Sequence, residues 1–198
     1  MSDTVIDLIR HGKPVGGRRY RGQIDDPLSE RGWVQMWSAV EVQAAWERII
    51  SSPLVRCSAF AQALAKKLGI PFREDERLKE VGFGDWEGHS GSELKRDDPQ
   101  TLARFYRDPV RHRPEGAEPL EAFQSRVREV FEEIRSGQQD RHVLVVTHAG
   151  VIRAVIAHVV QAPLSGMYRI SVPTASLARV LSNTERPPTL MFHGRRSL

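Results

Sequence analysis

HVLVVTHAGVIRAV, residues 142–155, decides the fold. Its first six residues are apolar toward both faces, which suits a central parallel strand covered on each side rather than a strand with one wet face. A helical stretch, 150–160, follows at once. A strand that runs straight into a helix is one half of a parallel βα unit, and repetition of that unit builds a sheet with helices on its faces.

The rest of the chain repeats the pattern. Strand candidates are TVIDLI (4–9), RIISS (48–52) and SLARVLS (176–182), and helical periodicity covers 29–45, 53–68 and 119–135. Pro53 suits a first helical turn, where its missing N–H costs nothing. The expected architecture is therefore α/β: a three-layer α/β/α sandwich with a mostly parallel central sheet and helices on both faces, in one domain spanning 1–198. Residues 73–118 are rich in Gly, Pro and charge. They read as loops with one short helix near SELKRDD, inserted so as to cover the site. The tail TERPPTL leads a short last strand or an unstructured end, and no internal repeat or linker divides the chain.

With 198 residues, 40% hydrophobic and 27% charged, the composition is that of a globular protein with one well-buried core. The net charge of +4 fits any anionic partner, a small phosphorylated substrate included. Its basic groups, RRYR (18–21), RHR (111–113) and RR (195–196), are scattered without interleaved aromatics, so nucleic acid is not the expected partner. Cys57 is the single cysteine, which excludes an internal disulfide framework and a thiol cluster for zinc. No apolar run is long enough to cross a bilayer and no leader pattern opens the chain, so the expectation is a cytoplasmic protein with no membrane partner.

In open α/β sheets ligands bind beyond the carboxyl ends of the strands. Three candidate strands end there in chemically able residues: Arg10 and His11 in IRHG, Arg56 in SSPLVR, and His148 in VTHAG. Each signal alone is weak, and convergence at equivalent strand ends strengthens all of them. Two guanidinium forks beside a helix N-terminus make a receptor for a compact dianion. Of two histidines in such a pocket, one can attack phosphorus as a neutral imidazole while the other hydrogen-bonds the equatorial oxygens. Competing chemistries fail on spacing. Cys57 is followed six residues on by Ala63 rather than an arginine, and no phosphate-binding GxxxxGK[ST], HExxH or GxSxG stretch exists. His89, His112, His142, His158 and His193 lack metal-ligand spacing, so no metal is expected, and Trp33, Trp37 and Trp46 read as packing residues.

The stretches LIRHGKP, DDPLSERG, SSPLVRCSAFAQALA, LKEVGFGDWEG, PEGAEPLEAFQSRV and VTHAGVIRAV occur in the order seen in the histidine phosphatase superfamily, the phosphoglycerate mutase-like proteins, which this chain resembles from Val5 to Val155. That resemblance implies His11 as the nucleophile that becomes phosphohistidine, with Arg10, Arg56 and His148 binding the phosphoryl group. It implies Glu80 as the proton donor and later base, no cofactor, and leaving-group contacts from Arg21, Gly22 and Gln23. Glu87, in a tight glycine-bounded loop, reads as structural, and Glu118 as a cap for the helix after Pro119. The chain departs from the family pattern at Lys13, Pro14, Gly17, Ala117 and Pro119. Its short form resembles the phosphatase branches, the alpha-ribazole phosphatases among them, more than the mutases. The implied activity is hydrolysis of a small phosphate monoester such as alpha-ribazole 5'-phosphate. A mutase, a phosphoprotein phosphatase and an idle phospho-ligand-binding relative stand as alternatives, and the assembly is left open to a homodimer.

Overall fold

Strand β4 (His142–Thr147) is buried from Val143 to Thr147 and pairs in parallel register on both sides. One neighbour is β1 (Thr4–Arg10) and the other β2 (Arg48–Ser51). The computed structural model describes residues 3–41, 45–137, 142–183 and 186–195. Its six-stranded sheet has the order β3-β2-β4-β1-β5-β6, with β3 (Phe72–Glu74), β5 (Leu177–Ser182) and β6 (Thr189–Arg195) completing it. The four strands from β3 to β1 run parallel, while β5 and β6 are added antiparallel.

Because successive strand residues point to opposite faces, the sheet divides two cores. Ile6, Leu8, Val143 and Val145 face α5 (Leu120–Ser136) and α6 (Ala149–Val159), meeting Phe123, Val127, Val151 and Ile152. Ile9, Ile49, Leu144 and Val146 face α1 (Glu30–Ala39) and α2 (Val55–Leu68), meeting Met36, Phe60 and Leu64. These are the three expected layers.

Several boundaries differ from the sequence reading. The first helix ends at Ala39, short of the expected 45, and residues 42–44 lie outside the described ones. Pro53 precedes Leu54, the N-cap of α2, so it stands outside the helix rather than in its first turn. Strand β3 has only three residues, too few for an alternating pattern to register. The tail forms a seven-residue strand, although Thr184, Glu185 and Arg196 lie outside the described residues. Within 73–118 two helices form, α3 (Gly91–Asp97) and α4 (Thr101–Arg107), where one was expected. Ser90 and Glu93 close a capping box on α3. Leu102 and Phe105 of α4 join Phe83 and Trp86 in the core over α5 and α6, so this segment is anchored by its aromatics.

One charge is buried mid-sheet. Asp7 is fully buried and accepts hydrogen bonds from Trp46 Nε1 at 2.8 Å, His142 Nε2 at 2.8 Å, and Arg179 Nε and Nη2 at 2.7 and 2.9 Å. Burial pushes its carboxyl up, yet the bonds from Arg179, His142 and Trp46 outweigh that and hold it below the usual aspartate value. Asp7→Asn leaves a partly buried guanidinium without its counter-charge, and urea unfolding should register a loss of about 3 kcal/mol.

Candidate active site

The parallel strands deliver their polar ends to one edge. As β1 leaves the sheet, His11 N donates to Thr147 O at 2.9 Å, which keeps the exit of β1 in step with that of β4. Gly12 then passes α1 so closely that a Cβ there would stand 2.3 Å from Gly32 O. The turn aims His11 into the protein, 5% exposed, with Nδ1 2.8 Å from Gly12 O. A carbonyl only accepts, so Nδ1 carries the proton and Nε2 keeps its lone pair.

His148 leaves β4 as the N-cap residue of α6 and is fully buried. Its Nε2 lies 2.7 Å from Ser52 Oγ, and its ring meets that of His11 edge-on at 5.2 Å between centroids. Cys57 Sγ lies behind His148, 3.6 Å from Nε2, and burial pushes its thiol far above the usual range, so it serves as packing.

Arg56, in the first turn of α2, is buried, and Nη1 and Nη2 donate to Ile24 O at 2.6 Å and Gly22 O at 2.8 Å. Arg10 Nη1 donates to Val172 O at 2.6 Å. The buried Nε of each has no partner among the described residues. Burial brings Arg10 down to about 10, so it remains a cation at neutral pH. Burial first, then the adjacent arginine charges, hold both His11 and His148 well below the usual histidine value.

Glu80 belongs to the 73–118 segment and reaches the start of α6. Its Oε1 accepts Val81 N at 3.0 Å and its Oε2 accepts Gly150 N at 3.2 Å, in the first turn of α6. A Cβ at Gly150 would stand 2.1 Å from Glu80 Oε1, so the carboxylate occupies the space a side chain would fill. The backbone under Glu80 is braced from α5. Arg126 donates to Arg77 O at 2.6 Å, Lys79 O at 2.8 Å and Glu80 O at 3.2 Å. It also grips both oxygens of Glu118 at 2.7 and 2.8 Å, and Glu118 in turn accepts Gly82 N at 3.1 Å. Glu118 therefore braces this strap instead of capping α5, whose N-cap position is Pro119.

Of the loop residues, Arg21 is engaged within its own loop, by Asp26 at 2.9 Å, by Val15 O at 2.5 Å and by Gly17 O at 2.7 Å. Gly22 contributes the carbonyl that holds Arg56. Gln23 Nε2 reaches Glu80 O at 3.4 Å, and its backbone N–H donates to Glu87, which also holds Phe83 N. Lys13 is exposed, and its carbonyl accepts from Ser29 at the start of α1. Sequence reasoning missed Ser52, Arg126 and Gly150. The first two are ordinary surface-type residues in sequence, whereas the glycine two residues after His148 was open to inspection. Among the described residues no cluster of three or more His, Cys, Asp or Glu is placed to hold a metal, and no helix is long and apolar enough to cross a membrane.

A parallel α/β sheet that brings two neutral histidines, two pinned guanidiniums and a carboxylate to one edge defines a class of protein built around an anion pocket with an imidazole in it. The family model described as histidine phosphatase superfamily (branch 1) matches residues 6–193, and the chain belongs to that family. A bifunctional protein of Mycobacterium tuberculosis is 32% identical over 180 residues, 88% of this chain. This chain spans about half, 49%, of that protein's length. Phosphoserine phosphatase 1 of Hydrogenobacter thermophilus is 29% identical over 175 residues, 85% of this chain and 82% of that protein. The solved structure of mycobacterial glucosyl-3-phosphoglycerate phosphatase matches with a TM-score of 0.86 at 26% identity, covering 98% of this chain and 99% of that one. An alpha-ribazole phosphatase structure from Shigella flexneri, 24% identical, shares the fold with a TM-score of 0.83, each chain covered to 98%.

Proposed function

We propose that the chain hydrolyses phosphate monoesters of small molecules through a phosphohistidine at His11. The observation that carries this reading is the bond from Nδ1 to Gly12 O, which leaves Nε2 unprotonated in a pocket bordered by two arginines. Nε2 attacks phosphorus, the bond from phosphorus to the ester oxygen breaks, and Glu80 supplies the proton that the leaving alkoxide takes up. Water then attacks the phosphohistidine, giving its proton to Glu80. The P–N bond breaks, and orthophosphate leaves. Arg10, Arg56 and His148 hold the three phosphoryl oxygens as charge shifts among them. Residues 73–118 close over the pocket as part of a single domain.

The names of the relatives supply candidate substrates: phosphoserine, glucosyl-3-phosphoglycerate and alpha-ribazole phosphate. A screen of such esters, with acid quenching and alkaline quenching of the reaction, tests the mechanism. The expected result is phosphate release together with a protein-bound phosphate that survives base and is lost in acid, absent from His11→Ala. Turnover retained in that variant overturns the proposal. Interconversion of 2- and 3-phosphoglycerate without net phosphate release replaces it with a mutase.

A further inference from the structure

Two arginines are enough for one phosphoryl dianion, yet four gather here. Arg153, five residues beyond His148 on α6, donates through Nε to Ile170 O at 2.8 Å, two residues from the carbonyl that pins Arg10. Its guanidinium lies over the Tyr168 ring at 5.4 Å. Arg113, at the end of the 73–118 segment, donates through Nη2 to Gly82 O at 2.7 Å, two residues from Glu80, and lies over Phe83 at 5.6 Å. Among the described residues none of Arg10, Arg56, Arg113 and Arg153 has a carboxylate within ion-pair distance, whereas Arg126 nearby is paired with Glu118.

Two further polar atoms in this group, Arg113 Nε and Arg113 Nη1, are buried with no partner at hydrogen-bond distance among the described residues, and the Tyr168 hydroxyl lies beside the Arg113 guanidinium. Arg10 Nε and Arg56 Nε, which border the phosphoryl pocket, are in the same condition. A buried donor without an acceptor is costly, and binding an anion offsets that cost. Glu80 is linked through neighbouring residues to both Arg113 and Arg153: Gly82, whose carbonyl Arg113 holds, is two residues on, and Gly150, whose N–H its Oε2 accepts, is three residues before Arg153 on α6. Since Glu80 protonates the leaving oxygen in the reading above, the groups beside it flank the leaving group.

The geometry points to Arg113, Arg153 and Tyr168 as a second anion site that recognises a carboxylate on the leaving group, making the substrate a phosphate ester of a hydroxy acid. This rests on the phosphohistidine reading of His11. Charge favours an anionic leaving group, and the donor set favours a carboxylate. Four guanidiniums set against a phosphoryl dianion and Glu80 leave one positive charge over, or two while Glu80 carries its proton. Arg113 offers two N–H donors and Tyr168 one O–H to an acceptor with two oxygens, which is the complement a carboxylate takes.

The test uses two ester pairs that differ at the carboxylate: phosphoserine against phosphoethanolamine, and 3-phosphoglycerate against glycerol 3-phosphate. In the wild type kcat/KM should favour the carboxylate member of each pair at least tenfold. Arg113→Met and Arg153→Met should each shrink that preference at least tenfold, chiefly through KM, and Tyr168→Phe several-fold. Because Tyr168→Phe removes a single oxygen, it carries the test where an arginine variant does not fold. A wild-type preference near unity overturns the site, as does a variant that lowers both members of a pair alike. If the wild type turns over phosphoethanolamine and p-nitrophenyl phosphate as well as phosphoserine, the second site falls while the phosphohistidine stands. If it turns over none of these esters and forms no phosphoenzyme, both fall.

Discussion

Glu80→Gln lowers kcat on an alkyl phosphate by about 10²–10⁴-fold and leaves KM within a few-fold, the loss that removal of one positioned proton-transfer group brings. Its two steps separate when the leaving group is varied. p-Nitrophenolate departs without a proton, so with p-nitrophenyl phosphate the variant still phosphorylates His11. It then stalls, because the attacking water has no base, and phosphoenzyme accumulates with a burst of nitrophenol. Gly150→Ala should reproduce the pattern, since a Cβ 2.1 Å from Oε1 drives the carboxylate away without changing its chemistry. Rapid-quench kinetics decide the matter. Equal loss on both esters with no burst would mean that Glu80 shapes the pocket rather than moves protons.

The sequence was most legible where one residue does one thing. β4 and α6 could be placed because a two-faced apolar run turns directly into a helix, and the strand exits then located Arg10, His11 and His148. The two added edge strands were harder. β3 is three residues long, and β6 follows a Pro-rich turn that reads equally well as an unstructured end. α4 escaped because its apolar positions, Leu102 and Phe105, make only one turn's worth of periodicity, and they become core only when α5 and α6 are beneath them. The brace around Glu80 was invisible for a related reason. Arg126 holds carbonyls 46 to 49 residues away, and nothing in QSRVRE distinguishes that arginine from a solvated one. Glu118 shows the opposite error: a carboxylate beside a helix start looks like a cap, and pairing with Arg126, two turns along α5, overrode the local rule.

Acid should unfold this protein earlier and more steeply than its carboxylates alone would require. His11 and His148 are buried and neutral, held well below the usual value by burial and then by the arginines around them. In the unfolded chain each takes up a proton near pH 6.5, whereas in the fold neither does until far lower. Below about pH 6.5 the unfolded state therefore binds more protons, and stability falls as pH falls. The slope approaches about 1.4 kcal/mol per pH unit for each histidine once the pH is well below 6.5, which is steep against the 5–15 kcal/mol typical of a domain. Asp7 adds its own loss only later, as pH drops below the unfolded aspartate value, because its folded carboxyl is held low. Urea midpoints measured across this range should show the slope reduced by about half in His11→Asn. Saturating orthophosphate should also flatten it, because a bound anion offsets the arginine charges and lets the imidazoles take up protons in the folded state. An unchanged slope in the variant would place the acid sensitivity outside the pocket.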